Sequence, residues 1–162
     1  LIENKDISGV AISEDEKLIV MINEEDHIRI QVITDGMNLY EAYSLADKYD
    51  TLISESLKYA YDEEFGYLTA WPTNTGTCMR ASVMMHLPAL TKTGSIPRIS
   101  ASLGKLGLVM RGYNGESSDS KGCLYQLSNQ ITLGLSEKNA IDNLNKIQGV
   151  YEIKRVINRL FL

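Results

Sequence analysis

The sequence predicts an α+β fold built on a mainly antiparallel sheet flanked by helices. Three observations lead there. Short β-branched runs separated by tight turns fill residues 9–34, a long helical apolar period follows them, and strand-like runs return between 66 and 129 before a helical tail. With 162 residues the chain can bury a core without disulfides or a structural metal. No internal repeat and no Pro/Gly/Ser-rich linker divides it, so residues 1–162 are read as one unit.

The elements follow in order. GVAIS (9–13) and KLIVMIN (17–23), separated by Glu14-Asp15-Glu16, predict a hairpin. HIRIQVIT (27–34) alternates strictly, placing Ile28, Ile30 and Val32 on one face and His27, Arg29 and Gln31 on the other. From Asn38 to about Tyr61, the residues Leu39, Ala42, Leu45, Ala46, Tyr49, Leu52, Ile53, Leu57 and Ala60 keep helical spacing, with Asn38 as N-cap and no Gly or Pro inside. Residues 66–71 and 79–86 read as strands around a Pro/Asn/Gly loop. Residues 89–106 read as two short helices divided at Ser95-Ile96-Pro97. Strands at 107–112 and 123–129 bracket a polar loop, 113–122. The tail from Ser136 to Leu162 reads as helix, capped by Ser136 and open to a kink at Gly149.

Composition narrows the function. No apolar run approaches the ~20 residues that span a bilayer, and LIENKDIS lacks the basic and apolar regions of a signal peptide, so a soluble, cytoplasmic protein is expected. A formal charge of -5 argues against direct binding of nucleic acid or an anionic membrane, although a local basic cluster can still hold phosphate. Two cysteines and two histidines make neither a disulfide framework nor a metal cage, so no protein metal site is expected. Leu1 opens the chain at what reads as a strand edge, and a truncated piece of a longer protein is expected.

Arg29, Arg80 and Arg111 each lie at or within an expected strand beside a polar or Gly-rich segment. A guanidinium stays charged and donates two parallel hydrogen bonds to adjacent phosphate oxygens. Each could equally be a surface arginine with an acidic neighbour, since spacing alone does not make three side chains converge. Asn23-Glu24-Glu25-Asp26-His27 reads either as an acidic turn or as a strand entrance, where Glu25, His27 and Arg29 share a face. The loop RGYNGESSDSKG, with Glu116 near its tip, reads as a mobile surface loop or a lid over a site. Trp71, Met84 and Met85 read as core or pocket wall, and His86 as a packed or capping residue.

NEEDHIR (23–29), GYLTAWPTNTGTCMRASVMMHLP (66–88) and RGYNGESSDSKGCLYQLSNQ (111–130) together resemble the catalytic domain of ATP:guanidino phosphotransferases, the phosphagen kinases. The likeness runs from about residue 9 to about 140. RASVMMHLPAL (80–90) and NQITLG (129–134) look most like the bacterial protein-arginine kinase branch. The resemblance implies the glutamine-synthetase-like catalytic fold, here without its N-terminal part. It also implies transfer of the ATP γ-phosphoryl group, with Mg²⁺ bridging phosphate oxygens, to the guanidinium of arginine residues in proteins. By the same resemblance Arg29, Arg80 and Arg111 match phosphate-clamp positions. Glu25 and Glu116 match the two carboxylates that align and deprotonate the attacking guanidinium. Tyr125 and Gln126 fall near the adenine, with Gln in place of the usual acid.

Three departures qualify this. Trp71 stands where the family commonly has a reactive cysteine. Cys78 stands at a position often glycine, two residues before Arg80, where a substitute thiolate would share its strand face. The family's paired arginines in an SxRxR segment would precede residue 1, so the chain alone is expected to be inactive. Alternative readings are a kinase of free arginine or another small guanidino compound, and a noncatalytic paralogue that binds nucleotide or phosphoarginine. The branch implies Clp protease machinery and a heat-shock repressor as partners.

Overall fold

A computed structural model describes residues 6–113, 121–148 and 157–161. Seven strands form one sheet: β1 (Gly9–Ile12), β2 (Leu18–Glu24), β3 (Asp26–Asp35), β6 (Arg80–His86), β7 (Leu108–Gly112), β8 (Leu124–Asn129) and β9 (Ile157–Phe161), in the order β1-β2-β3-β9-β6-β8-β7 with every pair antiparallel. The short pair β4 (Tyr61–Asp62) and β5 (Gly66–Tyr67) stands apart. The helices are α1 (Leu39–Ser54), α2 (Pro88–Lys92), α3 (Ile96–Gly104) and α4 (Glu137–Gln148).

Strand register sorts the side chains. Gln31 and Arg80 both stand opposite Phe161, Ser82 opposite Ser128, and Gln126 opposite Arg111. Because side chains alternate along a strand, Arg29, Gln31, Arg80, Ser82, Gln126, Ser128 and Arg111 share one face. The opposite face carries Val32, Ala81, Val83, Met85, Tyr125, Leu127 and Leu108, which form the core with Leu39, Ala42 and Ala46 of α1, Ile96 and Leu103 of α3, and Ile141 and Leu144 of α4. Packing α1 on β3, α4 on β6 and β8, and α3 on β7 places the helices on this apolar side.

Four expectations are corrected. Helix α1 ends at Ser54 rather than near Tyr61, because residues 55–61 are recruited elsewhere: the Tyr59 hydroxyl donates to the Asp50 carbonyl at 3.3 Å, Leu68 N donates to Ala60 O at 2.9 Å, and Tyr61 pairs with Tyr67. Asn38 makes no side-chain cap and instead donates to Asp35 O at 2.9 Å. The strand expected over 66–71 keeps only Gly66–Tyr67. The Asp26 carboxylate captures the Ala70 N–H at 2.7 Å, and Pro72 opens a short 3-10 turn, Pro72–Asn74. The tail is not one helix: α4 ends at Gln148, and residues 157–161 form β9 at the centre of the sheet. Strand β9 pairs with β3 on one side and β6 on the other, and it joins the two halves of the sheet. Ile157 and Phe161 are strand-favouring types, and nine residues of β3 and β6 gain partners there, which outweighs a weak local helical pattern. The hairpin, β3, β6 to β8, the split at Ser95-Ile96-Pro97, and Ser136, whose Oγ accepts from Asn139 N at 3.3 Å, follow the sequence reading.

Leu144 is 1% exposed in the core between α4 and the sheet. Replacing it by Ala should cost about 2–5 kcal/mol of stability in denaturant unfolding; a loss below about 1 kcal/mol would place this packing wrongly.

Candidate active site

The site is built on the sheet face opposite the helices. Strands β2 and β3 are joined by a hairpin whose tip is Glu25, with Glu24 facing Asp26 across it. Glu25 adopts φ 63° and Asn23 φ 54°, so the tip curls in the left-handed region and Glu25 leaves the strand alternation. The expectation that Glu25 shares a strand face with Arg29 is therefore corrected, but the curl brings the two together by another route. The Arg29 guanidinium donates to Glu24 and, at 3.0 Å, to the Glu25 carboxylate. The segment is an acidic turn, and its curl sets a carboxylate beside an arginine.

Arg80 opens β6 and is half-buried. Burial lowers its pKa most, with the like charge of Arg111 next, while nearby Glu25 opposes and Arg29 adds to the lowering. A guanidinium keeps its charge through such a shift. The three expected arginines and Glu25 thus lie in one electrostatic neighbourhood on one sheet face. Between them runs a polar strip of Gln31, Ser82 and Ser128, all at most 4% exposed. Gln126 sits on the same face, its amide donating to Ser82 Oγ at 2.9 Å. Tyr125, by alternation, points the other way, is buried in the core and accepts a hydrogen bond from Thr91 at 3.1 Å; its expected place near an adenine is corrected. Glu116 and most of its loop lie outside the described residues.

A cavity of about 630 Å³ opens beside Arg29 and Arg80, walled also by Glu25, Asn74, Tyr59 and Cys78 among others. Asn74, missed by the sequence reading, reaches across 49 residues to Glu25 Oε1 at 3.4 Å and lies 3.5 Å from Asp26 Oδ2. Its only local signal was its place after Pro72 in a turn. Cys78 precedes β6 at φ 54°, a conformation that suits glycine and breaks the alternation expected to align it with Arg80. Burial pushes its thiol up to about 12, with the charges of Asp26 and Asp50 adding to the shift. Trp71 is 56% exposed at the start of the Pro72–Asn74 turn and lies outside the cavity lining, so the expectation of core or pocket wall is corrected. Among the described residues no group of three His, Cys, Asp or Glu is arranged to hold a metal ion.

Chemically, three guanidinium groups on one wall with a carboxylate at their edge can hold a polyanion and orient a cation against it. Comparison with known proteins follows the same line. The sequence model described as ATP:guanido phosphotransferase, C-terminal catalytic domain, matches residues 1–156, which leaves β9 beyond the match. The chain is 52% identical over 159 residues to the protein-arginine kinase of Clostridium acetobutylicum, covering 98% of this chain and 45% of that protein. It is 48% identical over 163 residues to the protein-arginine kinase of Brevibacillus brevis, covering 100% of this chain and 46% of that one. The chain therefore spans less than half the length of these curated relatives. Among solved structures, the duplicated taurocyamine kinase of Schistosoma mansoni with bound transition state analog components matches with TM-score 0.73 at 36% identity, over 85% of this chain and 19% of that chain. Lombricine kinase matches with TM-score 0.75 at 30% identity, over 88% and 41%.

Because its thiol is held protonated, Cys78 should react with iodoacetamide at pH 8 at least about 100-fold more slowly than a cysteine in an unstructured peptide. Peptide mapping by mass spectrometry reads this out, and rapid labelling would restore a thiolate role.

Proposed function

The chain belongs to the ATP:guanido phosphotransferase family, and from that premise we propose that the protein transfers the γ-phosphoryl group of ATP to the guanidinium of arginine residues in proteins. The observation that carries this is the register of β3, β6 and β7, which puts Arg29, Arg80 and Arg111 on one face with Glu25 hydrogen-bonded at its edge. The names of relatives at 48–52% identity support a protein substrate.

In this reading the arginines hold the nucleotide's phosphates. Phosphoryl transfer asks little covalent chemistry of a protein, because charge on the equatorial oxygens must be matched and the attacking and leaving groups held in line. Arg80, half-desolvated and crowded by Arg111, gains most from an arriving anion. Arg29 is held by Glu24 and Glu25, so its guanidinium is aimed before any ligand binds. Glu25 aligns the fork of the incoming guanidinium and accepts its proton as the N–P bond forms, which a guanidinium with pKa above ~12 requires. Glu116 is the second carboxylate in this proposal, and Gln126 borders the nucleotide. Arg29, Arg80 and Arg111 would hold the nucleotide's phosphates, and a magnesium ion bound with the nucleotide would supply further neutralisation of their charge.

A cytoplasmic setting, Clp protease machinery and a heat-shock repressor as partners belong to the same proposal; the two cysteines, neither in a disulfide, fit a reducing compartment. A second reading, phosphorylation of a small guanidino compound, is favoured by the likeness to taurocyamine and lombricine kinases, at 36% and 30% identity. It ranks second because the protein-arginine kinases are nearer in sequence.

In the full-length protein, Glu25→Gln should lower kcat by about 100-fold with little change in ATP affinity, because the arginines still hold phosphate. Arg80→Ala should weaken ATP binding and turnover together. Phosphoarginine on an arginine-rich protein, quantified by mass spectrometry beside free arginine as competing acceptor, checks both variants. Near-wild-type turnover in Glu25→Gln would exclude Glu25 as the base, and phosphorylation of free arginine alone would select the second reading.

A further inference from the structure

The segment Asn129-Gln130-Ile131-Thr132 leaves β8 and straps the loop that carries Asn74 and Arg80. Asn129, 2% exposed, engages its whole amide: Oδ1 accepts from Ala81 N at 2.8 Å, while Nδ2 donates to Met79 O and Ile131 O, each at 3.0 Å. Met79 and Ala81 bracket Arg80. Thr132, 7% exposed, shares its hydroxyl hydrogen between Thr73 O at 3.0 Å and Thr75 O at 2.8 Å. Those two carbonyls bracket Asn74, the residue that reaches Glu25. The Thr132 carbonyl in turn accepts from Thr77 N at 3.2 Å. A Cβ on Gly76 would stand 2.4 Å from that oxygen, so the two backbones touch, and Gly76 at φ 112° permits it.

We propose that Asn129 and Thr132 are positioning residues of the phosphoryl-transfer site, Asn129 fixing the approach of Arg80 to phosphate and Thr132 fixing Asn74 against Glu25. The proposal rests on the phosphotransfer reading above. A buried amide with every bond satisfied has one orientation, and losing a partner leaves a desolvated polar group behind. Both arms of the site hang from one loop, and displacements of about 1 Å in such groups can cost about 100-fold in rate. The Asn129 amide and the Thr132 hydroxyl are both spent on backbone groups, so in this proposal each acts through the side chain it brackets.

The test uses the full-length protein. Thr132→Val keeps the volume and removes the hydroxyl; it should lower kcat about tenfold, leave the ATP Kd within about twofold, and be largely reversed by Thr132→Ser. On a Glu25→Gln background it should add no further loss, because its effect passes through Glu25. Asn129→Ala should weaken ATP binding about tenfold, and not further on an Arg80→Ala background. Losses that are fully additive in both backgrounds would overturn the proposal and leave the strap a stabilising feature only. If Asn129→Ala does not fold, the Thr132 series decides alone. Amide hydrogen exchange separates this inference from the functional reading: Thr132→Val should raise exchange at residues 73–81 about tenfold while β3 and α1 keep their protection. Unchanged exchange there overturns the strap whatever the enzyme does, whereas a wild-type protein that phosphorylates no arginine overturns the function and not the strap.

Discussion

The two-residue period of an antiparallel strand is the constraint from which the rest follows. A slip of one residue in β6 would turn Arg80 into the helix-covered core and bring Ala81 to the open face, and the same holds for Arg29 in β3 and Arg111 in β7. Burial of Val32, Ala81, Val83, Met85 and Leu127 against α1 and α4 makes such slips expensive. The core thereby sets the site: each methylene packed beneath the sheet holds the guanidinium groups above it in register. The polar strip between them has the same origin, since Ser82 and Ser128 are the alternates of Val83 and Leu127.

Net charge is a poor guide to this face. The chain carries -5, and an acidic hairpin tip, Glu24-Glu25-Asp26, lies at the site. Glu24 and Glu25 offset Arg29, whereas Arg80 is half-buried beside the like charge of Arg111. In the proposed function, a polyanion bound there would relieve that like-charge repulsion.

Much of this was legible in the sequence. Strict alternation in HIRIQVIT gave β3 and the facing of Arg29, and the apolar period from Leu39 gave α1 with Ala42 and Ala46 inward. What escaped depended on partners far away in the chain. Strand β9 exists because β3 and β6 both pair with it, and no local pattern near residue 157 announces that. Helix α1 stops at Ser54 because Ala60 and Tyr61 bond to the segment around Tyr67. Asn74, Asn129 and Thr132 carry no local pattern that singles them out, yet each forms hydrogen bonds 48 to 59 residues away along the chain. Glu25 was identified for the right neighbour on the wrong geometry: period-two spacing suggested contact with Arg29, and a left-handed tip supplies it.

The central claim is that one sheet face clamps the phosphates of a nucleotide beside the carboxylate that aligns its acceptor. A crystal structure of the full-length protein with Mg²⁺ and a nonhydrolysable ATP analogue tests it most directly. The account predicts β- and γ-phosphate oxygens within hydrogen-bonding distance of Arg29, Arg80 and Arg111, with Glu25 facing the γ-phosphate across a gap sized for a guanidinium. Phosphates bound elsewhere on the protein, with these three arginines left to solvent, would contradict it.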